Sequence, residues 1–526
     1  MRQLLRPVLR VSLLKCYHLR TLATTVSQKP GDGKERVVIL GSGWGGYTVS
    51  RKLSPKQFSP IVISPRSYFV FTPLLTDTAG GNLDFSHIVE SVRDPKMTVD
   101  FIQAAARAID LDRKMVMCEP TIVKSGVTQT HTDEENEGSS REAKAWEQGE
   151  RFEVPYDKLI ISVGAISKTF KTPGVKDNAI FFRDIGDSRR VRRRVRECFE
   201  LAVLPTTSPE MRQHLLHFAI VGAGPTGTEL AAALRDFITG DLITLYPTLQ
   251  GLPRISLFDV APKVLSMFDE SLSMYAKDTM KKEGIDVRTS HHIEELRWGS
   301  PDADPPYEMD PRHCLTLTTK EEGKIGVGMC VWATGNAMNE LVRESLVEVE
   351  VFPTNSAVMK DASGSEGASD SSWAYKKAPK TGALLVDGHL RVQLENNNGT
   401  TAVLQDVFAL GDVAVPENGA PPATAQVTAQ EAKWLATRLN NRGDLQASPP
   451  FSFKNMGTLA YIGGAKGLAQ FPEEEGAYLP NKVKGRVAWL VWNSAYLTMV
   501  LSWRNKLRVA FRWLLNQMFG RDISRY

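Results

Sequence analysis

The 526-residue sequence has only five cysteines, Cys16, Cys118, Cys198, Cys314 and Cys330, and no two of them stand as C-x-x-C or at zinc-finger spacing. A zinc ribbon and a local redox dithiol are therefore unsupported, and buried thiols in a reducing compartment are expected. A metal site is not expected either: 300–310 (SPDADPPYEMD) lacks the Gly and Glu that a calcium loop needs at its sixth and twelfth positions. The formal net charge is only +4, and no basic–aromatic pattern of RNA binding occurs, so nucleic acid is not an expected partner. No short repeat of solenoid type is present. Acidic residues are absent before Asp32. Those first residues instead carry four Arg, two Lys and one His among Leu and Val, then Thr and Ser. A secretory signal would need an unbroken apolar centre, which Arg10 and Lys15 interrupt. The composition predicts a mitochondrial transit peptide over 1–33.

What the chain does have is one pattern written twice. The run VVIL leads into Gly41-Ser42-Gly43-Trp44-Gly45-Gly46, and HFAIV leads into Gly222-Ala223-Gly224-Pro225-Thr226-Gly227. Each is a strand, a G-x-G-x-x-G turn and a helix. The first Gly makes the tight turn, the second admits a pyrophosphate, and the third lets helix and strand pack closely. The phosphates then meet the positive end of the helix. Each copy is followed later by a strand ending in a small-residue turn, at Gly164 and at Ala333-Thr334-Gly335. Two such units predict an α/β protein with two Rossmann-like dinucleotide-binding domains.

The copies differ where the ribose is held. After the second loop, the strand RISLFD ends in Asp259, placed to accept from both hydroxyls of an adenosine ribose and to repel a 2′-phosphate. That favours NADH over NADPH. After the first loop the acid is missing, and Ser64-Pro65-Arg66 stands in its place. A later stretch, 401–415 (TAVLQDVFALGDVAV), reads as a strand ending in Gly411-Asp412. Gly permits close backbone approach and Asp412 can accept from a ribityl hydroxyl, which suits a flavin. The flavin domain is then discontinuous, interrupted by the second dinucleotide domain.

Three further stretches stand out. Residues 130–150 and 360–380 are polar and charged and are expected as surface loops. Residues 182–202 are strongly basic and helix-like, and are expected as a solvated face beside acidic neighbours. Near the C-terminus, 487–503 is uncharged, but Asn493, Ser494, Thr498 and Ser502 make it marginal for a span of about 20 apolar residues. Beyond it, Leu507, Ala510, Phe511, Leu514, Leu515 and Met518 recur at helical spacing with Arg504, Arg508 and Arg512 at the edge. Trp489, Trp492, Trp503 and Trp513 fall in the same region, four of only ten in the chain. An amphipathic helix lying in a membrane interface is predicted.

The order GSGWGG, SPRSYFVFTPLL, GAGPTGTEL, VWATGN, VFALGDVA, TAQVTAQEAKWLA and FGRDIS resembles type II NADH dehydrogenases, from about residue 36 to the end apart from the two insertions. The SPR sequence is what that family carries in place of the missing acid. The resemblance implies a NADH:ubiquinone oxidoreductase that pumps no protons, peripheral on the matrix or intermembrane-space face of the mitochondrial inner membrane. It implies FAD on the first loop with Trp44, Ser64, Pro65, Arg66, Thr72, Gly164, Gly411 and Asp412, and NADH on the second loop with Asp259 and Ala333, Thr334 and Gly335. It also implies Glu229 near nicotinamide and flavin, Gln426 and Gln430 at the flavin and quinone, and Trp492 and Tyr496 near the quinone. Relatives with His where this chain has Ala429 give that position no role here. The implied partners are ubiquinone, the lipid surface along 487–519 and a second copy in a homodimer.

The implied organisation is a transit peptide (1–33), a flavin domain in two parts (34–185 and 381–450), an NADH domain (186–345), a flexible insertion (346–380) and a membrane-anchoring domain (451–526). Two alternatives remain at this point. A sulfide- or disulfide-handling flavoprotein would need a cysteine pair at the flavin, with Cys198 and Cys330 the candidates. An NADH-sensing flavoprotein would bind without turnover.

Overall fold

The computed structural model describes residues 24–25, 33–94, 98–121, 150–360, 372–417, 419–441, 445–473 and 480–521. The expected transit peptide, apart from 24–25 and residue 33, lies outside the described residues, as do nearly all of the 130–150 segment and residues 361–371.

The first sheet is built on five parallel strands in the order Asp100–Asp110, Phe58–Ser64, Glu35–Leu40, Lys158–Ile161, Thr401–Ala409. Chain order reverses beside Glu35–Leu40, and a doubly wound sheet binds its ligand at that switch point. Val37, Val38, Ile39 and Leu40 are completely buried, as strands covered on both faces must be. The helix Trp44–Lys52 starts directly from the first loop, and Ala425–Asn440 packs against it.

The second sheet is also parallel, with the order Ile180–Phe181, Met329–Trp332, His217–Val221, Arg254–Asp259, Ile285–Thr289. Two crossings join the domains, and they pair with each other: Ala165–Ser167 lies antiparallel to Asn336–Met338. A three-stranded sheet, Thr458–Gly463, Lys466–Gln470 and Lys482–Gly485, then leads into two helices, Arg486–Met499 and Trp503–Phe519.

Two segments lie differently from the expected boundaries. Ile180–Phe181 belongs to the second sheet although it precedes residue 186. Within 346–380, expected as a flexible insertion, Glu348–Val349, Ala357–Met359 and Trp373–Tyr375 are strands of the first sheet. Strands of two or three residues are too short to show an alternating pattern.

The basic segment is the helix Ile185–Val203, capped by Asp184. Val191, Val195, Cys198, Phe199 and Ala202 face the core. Its arginines find local partners: Arg190 pairs with Asp187 at 2.5 Å, and Arg194 donates to the carbonyls of Gly328, Pro311 and His313. The solvated face beside acids that the sequence predicts is thus found only in part: Arg189 and Arg193 are exposed, whereas Arg192 is buried and Arg194 is held by carbonyls.

Candidate functional site: two phosphate loops joined through a buried glutamate

The two glycine loops have the same backbone. Gly41 and Gly222 take φ of 106° and 111°, in the left-handed half of the map that glycine alone enters freely. Their N–H groups donate to Ile63 O at 2.8 Å and Phe258 O at 2.7 Å, each the neighbouring strand's end. A Cβ on Gly46 would stand 1.9 Å from Gly41 O, and one on Gly227 would stand 1.9 Å from Gly222 O. Close helix–strand packing therefore demands the third glycine in each. Gly43 and Gly224 by contrast face open space, and each caps its helix with no side chain on the free N–H groups. Both loops thus offer an unfilled cradle of backbone donors, which fits a dinucleotide pyrophosphate in each.

Around the first loop, Ser42 Oγ lies 3.0 Å from Ser64 Oγ and donates to Arg66 O at 3.0 Å, tying the loop to the Ser-Pro-Arg turn. Arg66 Nε pairs with Asp184 at 3.0 Å, and Tyr68 donates to the same Oδ2. Trp44 Nε1 donates to Thr72 Oγ1 at 3.0 Å. Gly411 is left-handed, with φ 76°, and its N–H donates to the buried Glu431 at 2.8 Å. Burial pushes the Asp412 carboxyl up, and Arg183 opposes the shift. The turn is open to a cavity of about 560 Å³ that Gly411, Asp412, Thr428 and the crossing residues Ala165 and Asn336 line. Apolar strand ends, left-handed glycine and a buried acid at an open cavity fit a flavin.

At the second loop, Asp259 accepts from Ala223 N at 2.6 Å and from Ala261 N at 2.7 Å. A Cβ on Gly222 would meet Ala333 O at 2.8 Å, so the Ala333-Thr334-Gly335 turn closes directly on the loop.

Glu229 lies one turn into the second loop's helix and is buried. Its Oε1 accepts from Tyr461 N at 3.1 Å and from Trp492 Nε1 at 3.2 Å. Burial raises its carboxyl from 4.5 to about 8. From Trp492 the rings run back to the first loop: Trp492–Tyr496 centroids are 4.8 Å apart, Tyr496–Phe71 6.2 Å and Phe71–Trp44 5.4 Å. One connected path thus unites residues expected separately at the flavin (Trp44, Thr72), the quinone (Trp492, Tyr496) and the nicotinamide (Glu229).

Gln426 and Gln430 lie elsewhere in the network. Gln426 accepts from Met456 N at 3.1 Å and donates to Gly457 O at 3.2 Å. Gln430 accepts from Lys454 N at 3.0 Å and donates to Lys454 O at 2.8 Å. Both amides clamp the backbone that enters the C-terminal sheet. At the chain's far end, Arg521 bridges Asn82 Oδ1 at 2.6 Å and Asp241 Oδ2 at 2.8 Å, one from each side of the domain junction.

Four residues escaped the sequence reading. Arg183 donates to Ser167 Oγ, Ala165 O, Gly335 O and Asn336 Oδ1, so one guanidinium holds both crossings. Asp184 anchors Arg66. Glu431 follows Gln430 in TAQVTAQEAK, where an acid on a helix looks ordinary. Tyr461 holds Glu229 by its backbone and Asp236 by its hydroxyl.

Residues 35–363 match the sequence model described as pyridine nucleotide-disulphide oxidoreductase, and 455–522 match the NDH2 C-terminal domain. The chain belongs to the type II NADH dehydrogenase family. It is 34% identical to a probable NADH dehydrogenase of Dictyostelium discoideum, over 94% of this chain and 91% of that one. It is 31% identical to the internal alternative NAD(P)H-ubiquinone oxidoreductase A1, mitochondrial, of Solanum tuberosum, over 94% and 88%. Its fold is that of NDH2 from Plasmodium falciparum solved with NADH, at 23% identity and a TM-score of 0.73, over 94% of this chain and all of that one. Cys198 and Cys330 are both free and buried, and burial pushes both thiols up to about 12.

Proposed function

We propose that this type II NADH dehydrogenase oxidises NADH at the second loop and reduces ubiquinone beyond the Trp492–Tyr496 pair, without proton translocation, on the mitochondrial inner membrane. The observation that carries the reading is the connected path from Trp44 through Phe71, Tyr496 and Trp492 to Glu229. When bound, FAD would supply the two-electron redox chemistry that links NADH oxidation to ubiquinone reduction. The first loop, Trp44, Arg66, Thr72, Gly411 and Asp412 hold it. Gly222, Gly224, Gly227, Asp259 and the Ala333–Gly335 turn hold NADH and bring it against that flavin, and this proximity is the protein's main contribution.

Quinol formation also needs protons. Glu229 keeps its proton at neutral pH because a buried carboxylate is poorly solvated, and it sits in contact with Trp492. Its carboxyl is hydrogen-bonded directly to the aromatic path at Trp492. Gln426 and Gln430 act by positioning, since their amides fix residues 454–457.

The C-terminal helix Trp503–Phe519 docks through Asn505 and Val509, which are buried, and turns Leu507, Phe511, Leu514 and Met518 outward, each more than half exposed. Among the described residues no helix is long and apolar enough to cross a membrane. We assign this stripe, with Trp503, to a lipid surface. Sedimentation with liposomes tests it: Phe511→Asp with Leu514→Asp should release the protein, whereas a fall in oligomer size without release would give the stripe to a second copy of the chain.

The deciding experiment is NADH oxidation by the FAD-loaded protein with and without a soluble ubiquinone analogue. Quinone-dependent turnover is expected. Flavin bleaching by NADH that quinone does not reverse would sink the quinone assignment and revive the NADH-sensing alternative.

A further inference from the structure

Just past the first crossing the backbone is strained without a core to reward it. Phe170 and Lys171 both take left-handed φ, 57° and 60°. A residue with a Cβ enters that region only when its surroundings force it to. The Phe170 side chain is nevertheless 53% exposed. An exposed aromatic in a strained loop contributes little to the fold, so its placement asks for another cause.

Its position is well defined. A Cβ on Gly335 would stand 2.8 Å from Phe170 Cε2, so the ring lies directly on the third residue of the Ala333-Thr334-Gly335 turn. That turn in turn abuts Gly222. The preceding residue but one, Lys168, is fixed on the same turn: its N–H donates to Gly335 O at 3.4 Å, and its carbonyl accepts from Trp332 Nε1 at 2.9 Å. The Lys168 ammonium stands 5.2 Å from the Phe170 ring centroid, and Lys168 also lines the cavity that contains Gly411 and Asp412. The ring therefore stands at the end of the second dinucleotide site that faces the flavin domain. The end of NADH that must face a flavin is its nicotinamide.

We infer that Phe170 is a nicotinamide-nucleotide contact, its exposed ring forming the flavin-facing wall of the NADH site. This rests on the reading of Ala333-Thr334-Gly335 and Gly222 as that site. Planar apolar area beside a planar heterocycle is what the ring supplies, and the loop strain is the cost of presenting it.

The test uses the full-length, FAD-loaded protein, with NAD⁺ titrated calorimetrically, the KM for NADH and the thermal midpoint measured side by side. Phe170→Ala should weaken NAD⁺ binding and raise the KM for NADH by about three- to tenfold, the range of one lost aromatic contact, and Phe170→Tyr should restore both. Phe170→Gly should weaken binding equally while raising the thermal midpoint by about a few degrees, because glycine relieves the left-handed strain. Binding within about twofold of wild type in both truncations overturns the inference, and so does a lower midpoint in Phe170→Gly, which would make the ring a structural prop. Gly224→Asp, which sets a negative charge in the second loop's open cradle with nothing within 4 Å of its Cβ, separates the two levels in the same titration. If it weakens NAD⁺ and the Phe170 variants do not, the site stands and the Phe170 contact falls. If neither weakens it, the site assignment falls with it.

Discussion

The Trp492 indole donates to Glu229 Oε1 at 3.2 Å, across 263 residues of sequence. One partner lies on the helix that opens at the second phosphate loop, the other on the first of the two C-terminal helices. The bond favours the ionised carboxylate, while burial favours the neutral acid and wins, leaving Glu229 at about 8. Trp492→Phe removes the donor and should raise the carboxyl further. If the protonated form works in turnover, the alkaline limb of the quinone-dependent kcat should move up by about half a unit to one unit of pH. Glu229→Gln should remove that limb. An identical limb in Glu229→Gln would show that another group sets it.

The same shift appears in stability. A folded value of about 8 against 4.5 means that the native state holds a proton the unfolded chain has released. Stability from Glu229 is therefore fully present below about 4.5 and lost as pH rises through about 8. Glu431, at about 7, and Asp77, at about 6, lean the same way. His217, buried neutral and lowered from 6.5 to about 4, leans oppositely, losing stability as pH falls through that window. Above 6.5 His217 is silent. Denaturant unfolding of Glu229→Gln should therefore lose less stability than wild type between about pH 6.5 and 8, by on the order of 1–2 kcal/mol. Parallel curves would place Glu229 in a better-solvated site than its burial indicates.

Arg183 gives a kinetic prediction. Its fork reaches both crossings, so it fixes how the second domain sits against the first. Arg183→Met should slow flavin bleaching by NADH by about ten- to a hundredfold with FAD still bound, as expected when two reactants lose alignment. Arg183→Lys should recover little, because an ammonium cannot span four acceptors as a planar fork does. Anaerobic rapid mixing reads this directly, and a rate within about twofold of wild type would leave the alignment to the paired strands alone.

The residues legible in the sequence were those whose demands are local. A left-handed turn, a close helix start and an open cradle are all specified within six residues, so Gly41–Gly46 and Gly222–Gly227 announced themselves. The outward stripe from Leu507 to Met518 was legible for the same reason, as a periodicity. Arg183 and Asp184 were not. Their partners lie at 165, 335 and 66, and in sequence they look like the charged start of a basic helix. Trp492 shows the intermediate case: its neighbourhood read correctly as C-terminal and aromatic, but its burial against Glu229 is a tertiary fact. Gln426 and Gln430 were legible as a pair on one helical face, while the irregular segment they clamp, 454–457, carries no signal of its own.

That clamp predicts a split between stability and quinone affinity. Gln430→Ala exchanges its two bonds to the exposed Lys454 backbone for water, which should cost about 0.5–1 kcal/mol and raise the quinone KM through a loosened C-terminal sheet. Gln430→Glu keeps the acceptor for Lys454 N and should recover part of the stability. If Gln430 instead touches quinone, Gln430→Ala raises the KM with an unchanged unfolding midpoint. Measuring both on one preparation decides between positioning and contact.

The proposal that Asp259 selects NADH over NADPH can be tested, and its two backbone bonds determine how. Each oxygen already accepts one N–H, from Ala223 and from Ala261, so the carboxylate is held rigidly at the strand end with its charge facing the second loop. A 2′-phosphate brought to that end meets a fixed negative charge. Asp259→Ala would remove the repulsion but also orphan both N–H groups, confusing selectivity with local unfolding. Asp259→Asn keeps an acceptor for one N–H and removes the charge. It should raise kcat/KM for NADPH relative to NADH by about tenfold or more, mostly through the NADPH KM, since about 1.4 kcal/mol of relieved repulsion is enough. The comparison belongs at low and high salt, because a fixed charge at a partly open site is screened and the wild-type preference should weaken as salt rises. A preference for NADH that neither the substitution nor salt alters would mean that the shape of the site, and not the Asp259 charge, excludes the phosphate.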